Sequence, residues 1–299
     1  MKKFKFVLLV VANNDYQAEQ TVAAKQAAQE CESELQIIET GHDAVTQSQE
    51  VLNLLYKAPG ERPDGILFEP VGTPLAQAAK IATSSGVGWV VLNREVDYIH
   101  GLRLANATPC FSITTDHDEV GHIQGEQISK LLPKGGAVLY IHGPSDNKAA
   151  VRRAAAMQAA KPKNVEVRVL KGLWTEESAY HAVASWLKLN VTKEHGFGVV
   201  AGQNDAMALG ARRALDELTS GTDHDHWMSL AFIGCDGLPK TGQAYVNRGI
   251  LSATVVIPAN AGRAIRELVN TLRTGQQPLE CIFTSPSSYP QLTSLKAAL

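Results

Sequence analysis

The sequence predicts an α/β protein made of two doubly wound parallel sheets, and three observations carry that prediction. Short apolar runs alternate with helix-length segments, the spacing of β-α units. The alternation starts afresh after a fifth run, so the units form two arrays. Strand after strand then leaves into a corner rich in Asn, Asp and Gly.

The first array opens with an apolar strand over Val7–Val11 and an alanine-rich helix over Gln17–Cys31. A strand over Leu35–Ile38, a helix over Val45–Lys57 and a strand over Pro63–Phe68 follow. A helix over Pro74–Ser85 starts with proline in its first turn, where no helical N–H is lost. Strands over Trp89–Leu92 and Phe111–Thr115 complete the array. The second array reads helix Glu119–Leu131, strand Ala137–Ile141, helix Lys148–Ala160, strand Val165–Leu170 and helix Glu176–Leu189. It continues with strand Phe197–Ala201, helix Ala206–Leu218, strand Leu230–Ile233, a short helix near Leu238–Asn247, strand Ser252–Val256 and helix Ala259–Thr274. Pro258 and the stretch Gly275–Pro278 are read as punctuation where the chain passes between lobes, and the last twenty residues as a strand and an extended tail.

Composition narrows the function. At 299 residues, 44% apolar and 19% charged, the chain has the profile of a globular protein with ample core. A net charge of -2 gives no attraction to nucleic acid or an anionic membrane. Cys31, Cys110, Cys235 and Cys281 lie far apart without a C-x-x-C pair and are read as free thiols. Lys2, Lys3 and Lys5 before the run Phe6–Ala12 imitate a secretory signal, but the run goes straight into Asn13-Asn14-Asp15 and is read as a strand. No stretch approaches the ~18 apolar residues of a membrane span.

Chemistry concentrates at the strand exits. Asn13 to Gln17 follow the first strand, Asn93-Arg94-Glu95 the fourth, Asp116 the fifth and Gly143 to Asn147 the sixth. Gln203-Asn204-Asp205 follow the eighth, and Gly234-Cys235-Asp236-Gly237 the ninth. Helix capping alone accounts for an Asn-Asp pair at any one corner. Repetition favours a second role, because the carboxyl ends of parallel strands are where open α/β sheets bind ligands. Two lobes facing each other would enclose a cleft of amides, carboxylates and guanidiniums, which meet a hydroxyl as donor and acceptor together.

The ordered set Gln203-Asn204-Asp205-Ala-Met-Ala-Leu-Gly-Ala211, Ile233-Gly-Cys-Asp-Gly237, Leu92-Asn93-Arg94 and Thr254 to Gly262 resembles the type I periplasmic binding proteins of the ribose-binding and lac-repressor effector superfamily. The resemblance covers residues 4–285. It implies two Rossmann-like lobes joined by a multi-strand hinge, residues 1–115 with 257–284 in one and 116–256 with 285–299 in the other. It also implies ligand-binding roles for Asn14, Tyr16, Gln17, Asn93 and Arg94 in the first lobe, and for Arg153, Trp174, Asn204 and Asp236 in the second. Of the Gln203 to Asp205 corner, Asn204 is expected to turn towards ligand and Asp205 to cap. Asn204→Ala would then weaken binding by about 1 to 3 kcal/mol. Three departures from the family matter. Asn93 stands where a carboxylate is usual, which makes the pocket less anionic; Ile257 stands where glutamine is frequent; and Tyr16 and Gln17 replace two phenylalanines. They argue against assuming ribose itself.

Rival readings find less support. No nucleophile elbow, Walker loop or H-E-x-x-H motif occurs, and in Gly196-Phe-Gly-Val-Val-Ala-Gly202 the glycines precede and occupy the strand instead of following it. His224-Asp225-His226 lacks a third ligand nearby and is read as a solvated loop. By pattern alone, Trp174 reads as core, and Arg152 and Arg153 either pair with carboxylates on a helix face or meet a ligand. The first strand starts at Phe4 with no helix-turn-helix before it, so DNA is not an expected partner. The reading is a monomeric, non-enzymatic receptor for a monosaccharide or cyclic polyol, with no cofactor and no metal. An ABC permease is its partner if the protein is exported to the periplasm; cytoplasmic sensing is the alternative if it is not.

Overall fold

The structure, a computed structural model, describes residues 3–12, 14–72, 75–189 and 196–297. In chain order it runs β1 (Lys5–Val10), α1 (Asp15–Glu30), β2 (Glu34–Glu39), α2 (Ala44–Leu55), β3 (Gly65–Phe68), α3 (Ala76–Ser84), β4 (Gly88–Leu92), α4 (Ile99–Ala105) and β5 (Cys110–Thr115). Next come α5 (His117–Leu131), β6 (Gly136–His142), α6 (Lys148–Ala160), β7 (Val165–Lys171), α7 (Glu176–Leu187), β8 (Phe197–Gly202), α8 (Asp205–Leu218) and α9 (Gly221–Ser229). The chain continues through β9 (Ala231–Asp236), α10 (Gly242–Asn247), β10 (Ala253–Val256), α11 (Asn260–Thr274), β11 (Cys281–Thr284) and β12 (Ser287–Tyr289).

Two compact units result, each with its own sheet. Unit 1 takes the chain up to Thr115 and Pro258–Thr284; unit 2 takes Asp116–Ile257 and the chain from Ser285. The unit 1 sheet has the order β11-β5-β4-β3-β1-β2, every neighbouring pair parallel. Its core follows from the period of two along a strand. Phe6, Leu8 and Val10 of β1 face α1 and α11, where Ala24, Ala27, Ile265 and Leu268 complete one apolar layer. Val7 and Leu9 face the other way, onto Val51, Leu55, Ala79 and Ala82 of α2 and α3. Strands covered on both faces must be apolar throughout, which is why they read as continuous runs.

Unit 2 repeats the plan with the order β12-β10-β9-β8-β6-β7, in which only the short edge strand β12 is antiparallel. Leu139, Ile141, Val200 and Phe232 pack on α7 and α8, while Val138, Tyr140, Val199 and Ile233 pack on the face covered by α5 and α6. In each sheet the strand order reverses beside the first strand of the unit, between β1 and β3 and between β6 and β8. Such reversal points open a crevice at the carboxyl ends of the strands.

Several sequence expectations change. Gly275–Pro278 is not a passage between units: Gly275, at φ 75, is the left-handed cap that ends α11, and the turn leads into β11 of the same unit. The loop expected at His224-Asp225-His226 is helix α9, anchored by buried Trp227. On it His224 Nε2 pairs with Asp216 of α8 at 2.9 Å, and no group of three metal-ligating side chains occurs among the described residues. Helix α4 was not anticipated, and Asn13 and Pro74 lie outside the described residues.

Candidate functional site

In unit 1, the residues at the exits of β1, β3 and β4 converge on one another. Asn14 Oδ1 accepts from the Gln17 backbone N–H at 2.9 Å and so caps α1, which starts two residues before the predicted Gln17. That early start places Tyr16 and Gln17 in the first turn, aimed at the neighbouring exits. Tyr16 Oη donates to Asn93 Oδ1 at 3.0 Å, and Asn93 Nδ2 donates to Glu69 Oε2 at 2.9 Å. Gln17 Nε2 donates to the same Glu69 oxygen at 2.9 Å. Fully buried Asn260, the first residue of α11, donates to Asn93 Oδ1 at 2.8 Å and accepts from Thr284 Oγ1 at 2.8 Å. Asn93 holds φ at 59°, a left-handed conformation that asparagine tolerates better than most residues. Arg94, expected beside it, is exposed and takes no part in this network.

Sequence reasoning missed two members. Glu69 sits between buried Phe68 and Pro70, at one of the two exits passed over among the first four, although a charged residue there ends a fully buried strand. It also corrects the expectation of a less anionic corner, because the carboxylate absent at position 93 is supplied by position 69. Asn260 lay within the quoted Thr254 to Gly262 motif without a role.

In unit 2, the exits of β6, β8 and β9 gather around Arg153. Arg153 is 7% exposed, and its Nη1 donates to the Gln203 carbonyl at 2.8 Å while its Nε points to His117 Nδ1 at 3.4 Å. Its guanidinium lies 5.6 Å from the centroid of the Trp174 ring, within cation-π range. The two neighbouring arginines therefore divide the alternatives that the sequence left open. Arg152 pairs with Asp118 at 2.6 Å on the helix surface, and Arg153 turns inward.

Gln203 explains why the corner is fixed. Its Nε2 donates to Tyr140 Oη at 3.0 Å and to the Ala150 carbonyl at 2.8 Å, and its Oε1 accepts from Gly143 N–H at 2.8 Å. One buried amide thus ties the exits of β6 and β8 to α6, and with both its N–H groups committed it is a positioning group. Gly143 has a second duty, because a Cβ there would lie 2.6 Å from the Trp174 ring. Trp174 is half-buried at φ 66°, so it is not a plain core residue.

Asn204 supplies the cap that was expected of Asp205. Asn204 is the N-cap of α8: its Oδ1 accepts from Met207 N–H at 2.8 Å, and its Nδ2 donates to the Trp174 carbonyl at 2.9 Å. Asp205, the first helical residue, points into unit 2, where it accepts from Gly237 N–H at 2.8 Å and from Thr254 Oγ1 at 2.6 Å. Asn204→Ala is therefore expected to lower stability by about 1 kcal/mol through the lost cap. Its effect should appear as a lower urea midpoint at unchanged slope; an unchanged midpoint would contradict the capping role.

Electrostatics oppose one another in this cluster. Burial pushes the Asp236 carboxyl up to about 6, with Arg153 pulling the other way. Burial also raises Asp205 well above the carboxylate range, helped by the charge of Asp236. Burial lowers His117 to about 3, aided by Arg153 and Arg152. Between about pH 4 and 6 the folded protein keeps the Asp236 proton that the unfolded chain has lost, so this group lowers stability as pH rises. From about pH 6.5 down to 3 the unfolded chain protonates a histidine that the folded protein leaves neutral, so His117 lowers stability as pH falls. The two slopes offset where they overlap. Relative to wild type, Asp236→Asn should steepen the rise of stability from pH 4 to 6, and His117→Gln should turn it towards a decline, each by up to about 1.4 kcal/mol per pH unit. Urea titrations at pH 4, 5 and 6 measure this, and parallel curves for all three proteins would refute it.

Comparison with known proteins follows the same architecture. Residues 5–277 match the family model described as the periplasmic binding protein domain. A D-galactose/methyl-galactoside-binding periplasmic protein of Haemophilus influenzae is 29% identical over 185 residues, 57% of this chain and 53% of that protein. A putative rhizopine-binding protein of Rhizobium meliloti is 28% identical over 188 residues, 61% of this chain and 57% of that protein. The chain thus spans little more than half the length of these two curated relatives. Among solved structures, a periplasmic solute-binding protein of an ABC transporter from Actinobacillus succinogenes with bound D-allose superposes with a TM-score of 0.79 at 17% identity, covering 96% of this chain and 97% of that one. A galactofuranose-binding protein gives 0.77 at 21% identity, with 96% and 94% covered. At these identities the structural matches establish the fold, two α/β units with parallel-dominant sheets.

Proposed function

Since the chain belongs to the periplasmic binding protein family, we propose that it is a non-enzymatic receptor that closes around a small polyhydroxylated ligand, a monosaccharide or cyclic polyol. The observation that carries this reading is the polar cluster at the strand-order reversal of each sheet: Tyr16, Gln17, Glu69 and Asn93 in unit 1, and Arg153, Trp174 and Asp236 in unit 2. Each combines fixed donors and acceptors with an aromatic group. An aromatic ring covers the C–H face of a sugar while amides and carboxylates meet its hydroxyls. Asn14, Arg94 and Asn204 complete the proposed contact set, Asn14 and Asn204 through the helix ends they cap.

A ligand that binds the closed form better than the open form shifts the population by that difference in affinity, and no chemical step is needed. The names of the relatives support a place in ABC-type uptake, with a membrane permease as partner and the periplasm as compartment. Calorimetric titration with galactose, ribose, xylose, allose, fructose and myo-inositol tests the reading. Saturable binding of at least one member is expected. Absence of both heat and thermal shift across the panel would overturn it.

A further inference from the structure

The carboxylate of Glu69 is only half used by the protein. Its Oε2 accepts from Gln17 Nε2 and from Asn93 Nδ2, and its backbone carbonyl accepts from Gln47 Nε2 at 2.8 Å. Among the described residues its Oε1 receives no donor, and no lysine, arginine or histidine pairs with it. The surrounding network has a fixed direction. Thr284 donates to Asn260, Asn260 and Tyr16 donate to Asn93, and Asn93 donates to Glu69. The Asn93 side-chain oxygen already takes two donors and that of Asn260 takes one, so the strongest acceptor left in the cluster is Glu69 Oε1. The groups that hold it are neutral amides, which orient the charge without cancelling it. In unit 2, by contrast, the Asp236 carboxylate shares its surroundings with the Arg153 guanidinium.

We propose that Glu69 is a specificity-determining residue that selects ligand charge: it takes a donor from the ligand, prefers a protonated amine to a hydroxyl at that place, and rejects a carboxylate there. The physical basis is that a hydrogen bond between ionised partners is roughly twice as strong as a neutral one, whereas like charges brought together repel. The inference rests on the receptor reading above and adds the class of substituent that the unit 1 corner recognises.

The test uses the full chain and matched triplets: D-galactose, D-galactosamine and D-galacturonate, then D-glucose, D-glucosamine and D-glucuronate, with myo-inositol and an amino-deoxyinositol as a further pair. In at least one set, wild type should bind the amine about tenfold more tightly than the hydroxyl compound, and no uronate should bind as well as its neutral parent. Glu69→Gln retains an oxygen to accept from Gln17 and Asn93, and it should bring amine and hydroxyl affinities within about threefold. Neutral compounds binding without any amine preference would overturn this inference and leave the receptor reading standing. An amine preference that survives in Glu69→Gln would overturn the assignment to Glu69. Binding of no compound at all would overturn both readings. The wild-type ranking decides charge preference without the variant, and Glu69→Asp, which keeps the charge, should keep the preference.

Discussion

Arg153→Met is expected to weaken ligand binding at least about a hundredfold and to lower stability by about 2 to 4 kcal/mol. The stability loss has two sources. The Gln203 carbonyl loses a charge-assisted bond inside the unit, and the Trp174 ring loses the cation beside it. The binding loss has a third source, because Arg153 is the cation that draws the Asp236 carboxyl down against the effect of burial. Without it Asp236 protonates at higher pH, and the corner loses both a planar donor and an ionised acceptor. Arg153→Lys should recover part of the stability but little of the binding, since an ammonium cannot reproduce the fork. Calorimetry and urea unfolding on the two variants separate these effects. Binding within threefold of wild type in Arg153→Met would remove Arg153 from the site.

The second large effect concerns stability alone. Gly210, on the face of α8 towards α7, leaves no room for a side chain: a Cβ there would collide with the Glu176 backbone carbonyl and lie 3.1 Å from Ala179 Cβ. Backbone cannot rotate aside as a flexible side chain can, so Gly210→Ala must drive the two helices apart. A loss of about 3 kcal/mol is expected, a fall in Tm of roughly 6 to 12 °C for a unit of this size. Gly101→Ala is the control, because Gly101 lies exposed in α4 with nothing within 4 Å of the added Cβ. There helix propensity dominates, and the change should stabilise by about 0.5 to 1 kcal/mol. Thermal melts of both variants check the contrast, and equal shifts would show that the helix contact at Gly210 is looser than described.

These contrasts mark what a single sequence reveals. The β-α alternation was legible because doubly covered strands such as Gly65–Phe68 and Gly88–Leu92 have no polar position to hide them. Polar exits were legible for the same reason, as abrupt ends to apolar runs. Which residue of an exit does what was not legible. Asn204 and Asp205 are both able to cap, and a one-residue shift of the helix start decides which does so and which points into the unit. Glu69 escaped notice because a charged residue between a strand and a proline looks like ordinary surface. Its part depends on Gln17, 52 positions before it, and Asn93, 24 positions after it, which only the fold brings in from two other exits. Helix α9 was hidden by its polar sequence, with only Trp227 buried to hold it in place.

The interleaving of the two units along the chain governs the order in which they can be made. Unit 1 begins first, yet Ile265 and Leu268 of α11, central to one of its apolar layers, emerge from the ribosome only after all of residues 116–257. Until then the inner face of β1 has no α11 to cover it. Unit 2 lacks at that moment only its chain end, with the three-residue edge strand β12. The later-encoded unit therefore completes its core first during synthesis, and the earlier one waits with apolar surface exposed, the part of the nascent protein most in need of a chaperone.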